Sequence, residues 1–300
     1  MLFSSTTKEE GMMQILKPAA VAATMAAMVM FGCGDGGGAD MSDDEYAERM
    51  AAEHADDTPV ANPMSLPNDE LRSAGETVAY ATVDGNPVEG FLARPPEWTP
   101  GGPALIVIHE WWGLNDNIRT MARRLADEGY LSLAVDLYGG AVAASPEQAR
   151  ELMQAVNEDT ALANLDQAYS FLAEDEQAGK VGSIGWCFGG GWSLRTALLL
   201  PDKLDAAVIY YGHLTADPDQ LATLGLPILG HFGEADQGIP IDQVRNFEQV
   251  LDDVGADATI YVYPGAGHAF ANPSGRNYEA AAAETSWQRT VQFCNQSLKE

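Results

Sequence analysis

The stretch Gly185-Trp186-Cys187-Phe188-Gly189 constrains this chain more than any other, because it stands between a strand-like run, Lys180 to Gly185, and a helix-like run, Gly191 to Leu200. A backbone that turns from strand to helix so sharply leaves no room for side chains two positions before and two after the apex. Gly185 and Gly189 meet that demand. The apex residue then sits at a helix N-terminus, where unpaired amides and the helix dipole favour an anion, and for a cysteine that anion is the thiolate. A merely buried cysteine calls for no such glycines, so Cys187 is read as a nucleophile.

The rest of the folded part alternates in the way such an elbow requires. Thr77 to Val83 and Val88 to Ala93, joined by Asp84-Gly85-Asn86-Pro87, predict an antiparallel β-hairpin. Largely apolar strands follow at 104–110, 131–138, 180–185, 206–211, 227–232 and 259–263. Helical stripes fall at 118–126, 145–156, 162–172, 191–200, 242–254 and 278–298, with Ser145, Pro146 and Gln148 forming a capping box. Apolar strands mostly followed by helices predict an α/β fold: a mostly parallel central sheet covered by helices on both faces, with an N-terminal antiparallel hairpin, in the order of an α/β-hydrolase.

A thiolate that forms an acyl intermediate needs a base to activate water and a carboxylate to fix that base's tautomer. In this fold they follow the nucleophile in the order acid, histidine, on loops after later strands. Asp236 lies just beyond the strand ending at Phe232, and His268 just beyond the one ending at Tyr263. Among the competitors, Glu234 is the alternative acid, His231 falls within a buried strand, and His213 follows the wrong strand. His54 belongs to the segment read below as a tether. No two His or Cys show metal-ligand spacing, so neither metal nor other cofactor is expected.

Four segments, His109-Glu110-Trp111-Trp112-Gly113, Asp136-Leu137-Tyr138, Gly185-Trp186-Cys187-Phe188-Gly189-Gly190 and Gly267-His268-Ala269-Phe270, resemble the signatures of the dienelactone hydrolase (carboxymethylenebutenolidase) family. The resemblance implies that Glu110 stands beside the resting cysteine and takes its proton, and that the amides of Trp111 and Phe188 form the oxyanion hole. It also implies carboxylate-binding arginines where this chain has Gly140 and Asn272, leaving Arg276 as the nearest cation. Trp112, Tyr138, Trp186 and Phe270 are expected around an apolar pocket with Arg276. The implied activity is hydrolysis of activated esters or lactones through a Cys-His-Asp triad. The alternatives are a broad carboxylesterase or thioesterase on the same triad, or a non-catalytic exported binding lipoprotein.

Composition bears on location and partners. With 44 Asp and Glu against 16 Lys and Arg, the net charge of −28 opposes binding to nucleic acid or anionic lipid. Residues 1–33 read as an export signal, with Lys17 ahead of the apolar run Pro18 to Phe31, and Gly32-Cys33 closing it as in a lipoprotein signal. Acylation of Cys33 would anchor an exported protein at the periplasmic or cell-surface face of a membrane. Between Asp35 and Glu70 eleven acidic residues face only Arg49, and residues 34–75 are read as a disordered tether to a domain over 76–300. The expected partner is a small-molecule substrate, with the chain acting as a monomer and touching a membrane only through its lipid. Cys294, on a stripe with Trp287, Val291 and Leu298, reads as core.

Overall fold

Among the described residues eight strands form one sheet in the order β1-β2-β4-β3-β5-β6-β7-β8, the expected hairpin supplying the first two and the six apolar runs of the sequence the others. The computed structural model describes residues 41–57 and 71–300. Along the chain these are α1 (Asp43–Glu53), β1 (Gly75–Val83), β2 (Asn86–Ala93), β3 (Pro103–Ile108), α2 (Asp116–Asp127), β4 (Leu131–Val135), α3 (Pro146–Gln154), α4 (Glu158–Ser170), β5 (Lys180–Trp186), α5 (Phe188–Leu199), β6 (Ala206–Tyr210), α6 (Pro218–Leu221), β7 (Ile228–Gly233), α7 (Ile241–Val254), β8 (Ala258–Tyr263) and α8 (Ala280–Cys294). The first two strands and the β2–β4 pair run antiparallel, and every pair from β4 to β8 is parallel. β4 and β6 are buried at every position and β3 at all but its first, as strands covered on both faces must be.

The hairpin closes more tightly than the sequence suggested. Val83 pairs with Asn86 across the two-residue turn Asp84-Gly85, whose φ values of 52° and 78° are those of a type I′ turn. At α3 the Ser145 hydroxyl accepts from the Gln148 amide, 3.3 Å, while the Gln148 side chain accepts from Ala144 rather than from the cap residue itself. Parallel order has one consequence for function: the loops after β3, β5, β7 and β8 all emerge at the same carboxyl edge of the sheet, where such folds gather their ligands.

One expectation is corrected here. Residues 43–53 lie inside the stretch read as a tether, yet they form α1, and contacts group Ala39–Glu300 into one unit. Its cap is ordinary, with Ser42 accepting from the Glu45 amide. Met41, Tyr46, Ala47 and Met50 are buried, an apolar stripe that the surrounding Asp and Glu conceal in any average over composition. The expected export signal, including Cys33, lies outside the described residues, as do 34–40 and 58–70 of the expected tether. Among the described residues no helix is long and apolar enough to cross a membrane.

Candidate active site

The elbow has the geometry its glycines require. Cys187 takes φ 55° and ψ −120°, a strained conformation for a residue with a side chain, and its amide donates to Tyr210 O at 3.0 Å. A Cβ on Gly185 would come within 2.0 Å of Gly189 O, and one on Gly189 within 2.3 Å of Ile108 O and 2.5 Å of His109 O. These close approaches press the end of β3 against the first turn of α5, bringing the loop that carries Glu110 and Trp111 beside the sulfur. Phe188 is the first residue of α5, so its amide belongs to the first turn, which has no partner within the helix.

His268 Nδ1 and Asp236 Oδ2 are 2.8 Å apart, both side chains fully buried. The other carboxylate oxygen of Asp236 accepts from the amides of Gly238 and Ile239 at 2.8 and 2.9 Å, which fixes the acid on its loop. Glu234, the alternative acid, is exposed and accepts from the Gly265 amide. His231 accepts and donates within the core, to Tyr263 and Thr290 hydroxyls, and burial pushes it down to about 3. His213 meets Asp43 of α1. Among the described residues, the histidines grouped with the sulfur are His268 and one other.

His54, assigned from sequence to the tether, is that other. It follows α1 by one residue, its Nδ1 lies 2.7 Å from Asp57 Oδ2, and its ring stacks on Trp111 at 4.6 Å and meets His268 edge-on at 5.4 Å. A ring nitrogen of His54, one of His268 and Cys187 Sγ all lie within 4.8 Å of one another. With each Nδ1 held by a carboxylate, it is the two Nε2 atoms that face the sulfur, and neither makes a well-formed hydrogen bond there. From the same helix the Tyr46 hydroxyl comes to 3.9 Å of Sγ and Met50 Sδ to 3.6 Å. Tyr46, Met50 and His54 recur every four residues, one face of a helix, and they cover Cys187 so fully that it is 1% exposed. The spacing was present in the sequence, but the segment's acidic setting led to its being read as a tether, His54 included.

The charges balance around that sulfur. Burial alone would raise the Cys187 thiol, but His268 first and His54 next outweigh it and bring it down to about 6. For His268, burial opposes the charged form, while Asp236 and then Cys187 hold it well above its ordinary value. His54 is likewise raised by Asp57 and Cys187 against its burial. Glu110 goes the other way: burial, then the charge of Cys187, push it up to about 8, so it keeps a proton at neutral pH. Asn272 donates to Glu110 Oε2 and is itself held by Asn117. Asn272 therefore supports Glu110 where the resemblance implies a substrate-binding arginine, and the Gly140 amide donates to Asp136.

The expected pocket residues divide. Trp112 sits against Trp111 and His54, and Tyr138 against Phe188 and His109, all on the side of the sulfur. Trp186 does not join them, because neighbours along a strand point to opposite faces, and it lines a separate recess with Arg124, Tyr278 and Trp287. Phe270 is fully buried between Tyr211 and Tyr263, as a core residue. Arg276 is no free pocket cation: it pairs with Asp56 at 3.2 Å and Asp57 at 3.6 Å and donates to Glu53 O. Cys187 and Cys294 are both free thiols, and burial drives Cys294 up to about 12, far from reactivity.

Comparison with known proteins agrees with this geometry. Residues 88–298 match the Dienelactone hydrolase family. A protein of Escherichia coli (strain K12) provisionally named carboxymethylenebutenolidase is 35% identical over 256 residues, covering 80% of this chain and 93% of its own length. A similarly named protein of Saccharolobus solfataricus is 31% identical over 266 residues, covering 75% of this chain and all of its own. A crystal structure from Klebsiella pneumoniae, provisionally named a dienelactone hydrolase, superposes with a TM-score of 0.69 at 31% identity, covering 75% of this chain and 99% of that one.

Proposed function

This chain belongs to the dienelactone hydrolase family, and from that premise we propose that it hydrolyses activated carboxylic esters or lactones through a thioester on Cys187. The observation that carries the proposal is the buried chain of contacts Asp236–His268 directed at a sulfur strained on a glycine elbow. In the first half-reaction the thiolate adds to the carbonyl carbon, and the amides of Trp111 and Phe188 receive the oxyanion. That role is supported by the packing of the β3 loop against Gly189 and by the place of Phe188 at the helix start. Collapse expels the leaving oxygen and leaves a thioester, which water, deprotonated by His268, then cleaves. Glu110 holds a proton beside the sulfur throughout, so that the thiolate is not faced by a second anion.

The tetrahedral adduct expels its better leaving group, and thiols ionise near pH 8.5, far below alkyl alcohols. The triad by itself therefore favours enol, aryl and strained lactone oxygens over alkoxides and amines. Asn272 is committed to Glu110 and Arg276 to Asp56 and Asp57, while Trp111, Trp112 and Tyr138 stand near the sulfur, which supports a substrate that is neutral and apolar near its carbonyl. Turnover of p-nitrophenyl acetate and a lactone panel by wild type, Cys187→Ala and Cys187→Ser tests the reading. Cys187→Ala should lose at least about 10³-fold and Cys187→Ser should leave a weak esterase. Undiminished turnover in Cys187→Ala would overturn it.

The leader enters the proposal separately. Lys17, the apolar run to Phe31 and Gly32-Cys33 support export with acylation of Cys33, anchoring the enzyme to a membrane. Mass spectrometry of the mature N-terminus should find a diacylated or triacylated Cys33; an unmodified terminus would exclude the anchor.

A further inference from the structure

We propose that His54 and Asp57 form a second acid–base dyad at Cys187, which protonates the departing oxygen during acylation and so extends the reaction to esters of ordinary alcohols. The proposal rests on the hydrolytic reading above. It comes from a segment that the family match, beginning at residue 88, does not include.

Four observations carry it. The pair repeats the construction of the Asp236–His268 pair: an Nδ1 to carboxylate contact of 2.7 Å against 2.8 Å, both groups buried. His54 Nε2 is buried and without a hydrogen-bond partner, and it faces the sulfur. Asp57 is held in turn by Arg276, which arrives from the loop that carries His268, so the second dyad is tied to the first. Finally, His54 stacks on the indole of Trp111, the residue whose amide we assign to the oxyanion hole, so the second dyad and that residue flank the same sulfur. An imidazole kept only for packing requires neither a carboxylate at its far nitrogen nor an empty near nitrogen at a nucleophile.

The protons balance. Sγ⁻ bonds to the carbonyl carbon, the C–O bond to the alcohol breaks, and the imidazolium of His54 gives its Nε2 proton to the departing oxygen, leaving a thioester, a free alcohol and neutral His54. Water then attacks the thioester and gives a proton to an imidazole, the C–S bond breaks, and the thiolate and one imidazolium are restored. With a proton supplied to the alkoxide, the adduct no longer returns preferentially to thiolate and ester. His268 pairs as imidazolium with the thiolate. Once the sulfur is acylated and that charge is gone, it yields its proton to solvent, accepts one from the attacking water and again stands as imidazolium beside the restored thiolate, while His54 regains its proton from solvent.

Leaving-group dependence tests this directly. We would measure kcat/KM, which reports acylation, for p-nitrophenyl, phenyl and ethyl acetate, which share one acyl group, in the presence of EDTA. Nitrophenolate leaves without an acid and ethoxide does not. His54→Gln should lose on the order of 100-fold on ethyl acetate but only a few-fold on p-nitrophenyl acetate, the range expected of a general acid. His54→Ala should regain ethyl acetate activity with added imidazole, which a disturbed fold would not. The p-nitrophenol burst counts sites still able to acylate, and so separates misfolding from lost chemistry. An equal loss on all three esters, with no rescue, would overturn the proposal while leaving the triad intact. Wild type inert towards p-nitrophenyl acetate would instead defeat the hydrolytic reading itself. Activity abolished by EDTA and restored by zinc would also overturn it, since Cys187, His54 and His268 would then be acting as metal ligands.

Discussion

The two histidine–carboxylate pairs that flank Cys187 look alike at the sulfur and differ in everything behind it. His268 and Asp236 stand 32 positions apart and are joined by the sheet, each on a loop at the carboxyl edge of a parallel strand, with two backbone amides fixing the acid. His54 and Asp57 are three positions apart on a single turn beyond α1, and what holds that segment is different in kind. Its apolar stripe is buried, but its polar attachments are largely exposed pairs, Arg150 with Glu48, Arg195 with Asp43 and Arg276 with Asp56. Exposed pairs contribute little each, about 0–1 kcal/mol. One dyad is thus part of the frame, and the other is carried on the element that covers the site. In this arrangement Cys187 is 1% exposed, and Tyr46, Met50 and His54 are what cover it.

The sharpest way to break this comparison is to neutralise each carboxylate in turn. Asp236→Asn loses the charge that fixes the His268 tautomer and should reduce kcat/KM for p-nitrophenyl acetate by about 10³–10⁴-fold. Asp57→Asn should cost about tenfold on ethyl acetate and less on p-nitrophenyl acetate, because it weakens only an acid that good leaving groups do not need. Equal losses in the two variants would mean that the dyads are equivalent, and that the distinction between frame and cover has no chemical meaning.

The same contrast explains what could be read in the sequence. Strand and helix order, the elbow glycines, Asp236 and His268 were legible because each follows from a periodicity or from a fixed position in a fold whose order is known. The roles proposed for Glu110 and the Trp111 amide come only from resemblance, since a carboxylate at the end of a strand has no periodicity to mark it. Asn272 was visible only as a departure; that it supports Glu110 depends on a contact across 162 positions. Trp186 was misassigned because nearness in sequence to Cys187 was taken for nearness in space, whereas strand alternation turns it to the other face. His54 was passed over for a different reason. Eleven acids around it lowered the mean hydropathy of the segment, while burial depends on one helical face and not on the mean.

Glu110 lies between the dyads and sharpens the comparison through pH. The charges of His54 and His268 both favour its ionised form, yet burial and Cys187 prevail and raise it from 4.5 to about 8. Between those values the folded protein keeps a proton that the unfolded chain releases, so this site's contribution to stability is full below about 4.5 and is lost as pH rises through 8. Glu110→Gln cannot ionise in either state. Its melting temperature relative to wild type should therefore rise from pH 5 to pH 8, by roughly 2–4 °C for each kcal/mol involved. A difference constant with pH would show that Glu110 ionises in the folded protein as readily as in the unfolded one.

The smallest effect expected concerns the attachment of α1 itself, and it asks whether the cover opens independently of the frame. Asp43 faces His213 and Arg195, and the His213 hydrogen bond, helped by Arg195 and opposed by partial burial, lowers its carboxyl to about 2. A lowered carboxyl stabilises the fold above its unfolded value of 3.8, and that contribution disappears as pH falls from there towards 2, so at neutral pH it is fully present. With its side chain 61% exposed, solvent screening limits the pair to under about 1 kcal/mol. Asp43→Asn should accordingly speed hydrogen exchange of the α1 amides by less than about fivefold at pH 7, with the amides of β5 unchanged. If β5 exchange accelerates equally, α1 opens only with the whole sheet, and both dyads belong to a single cooperative unit.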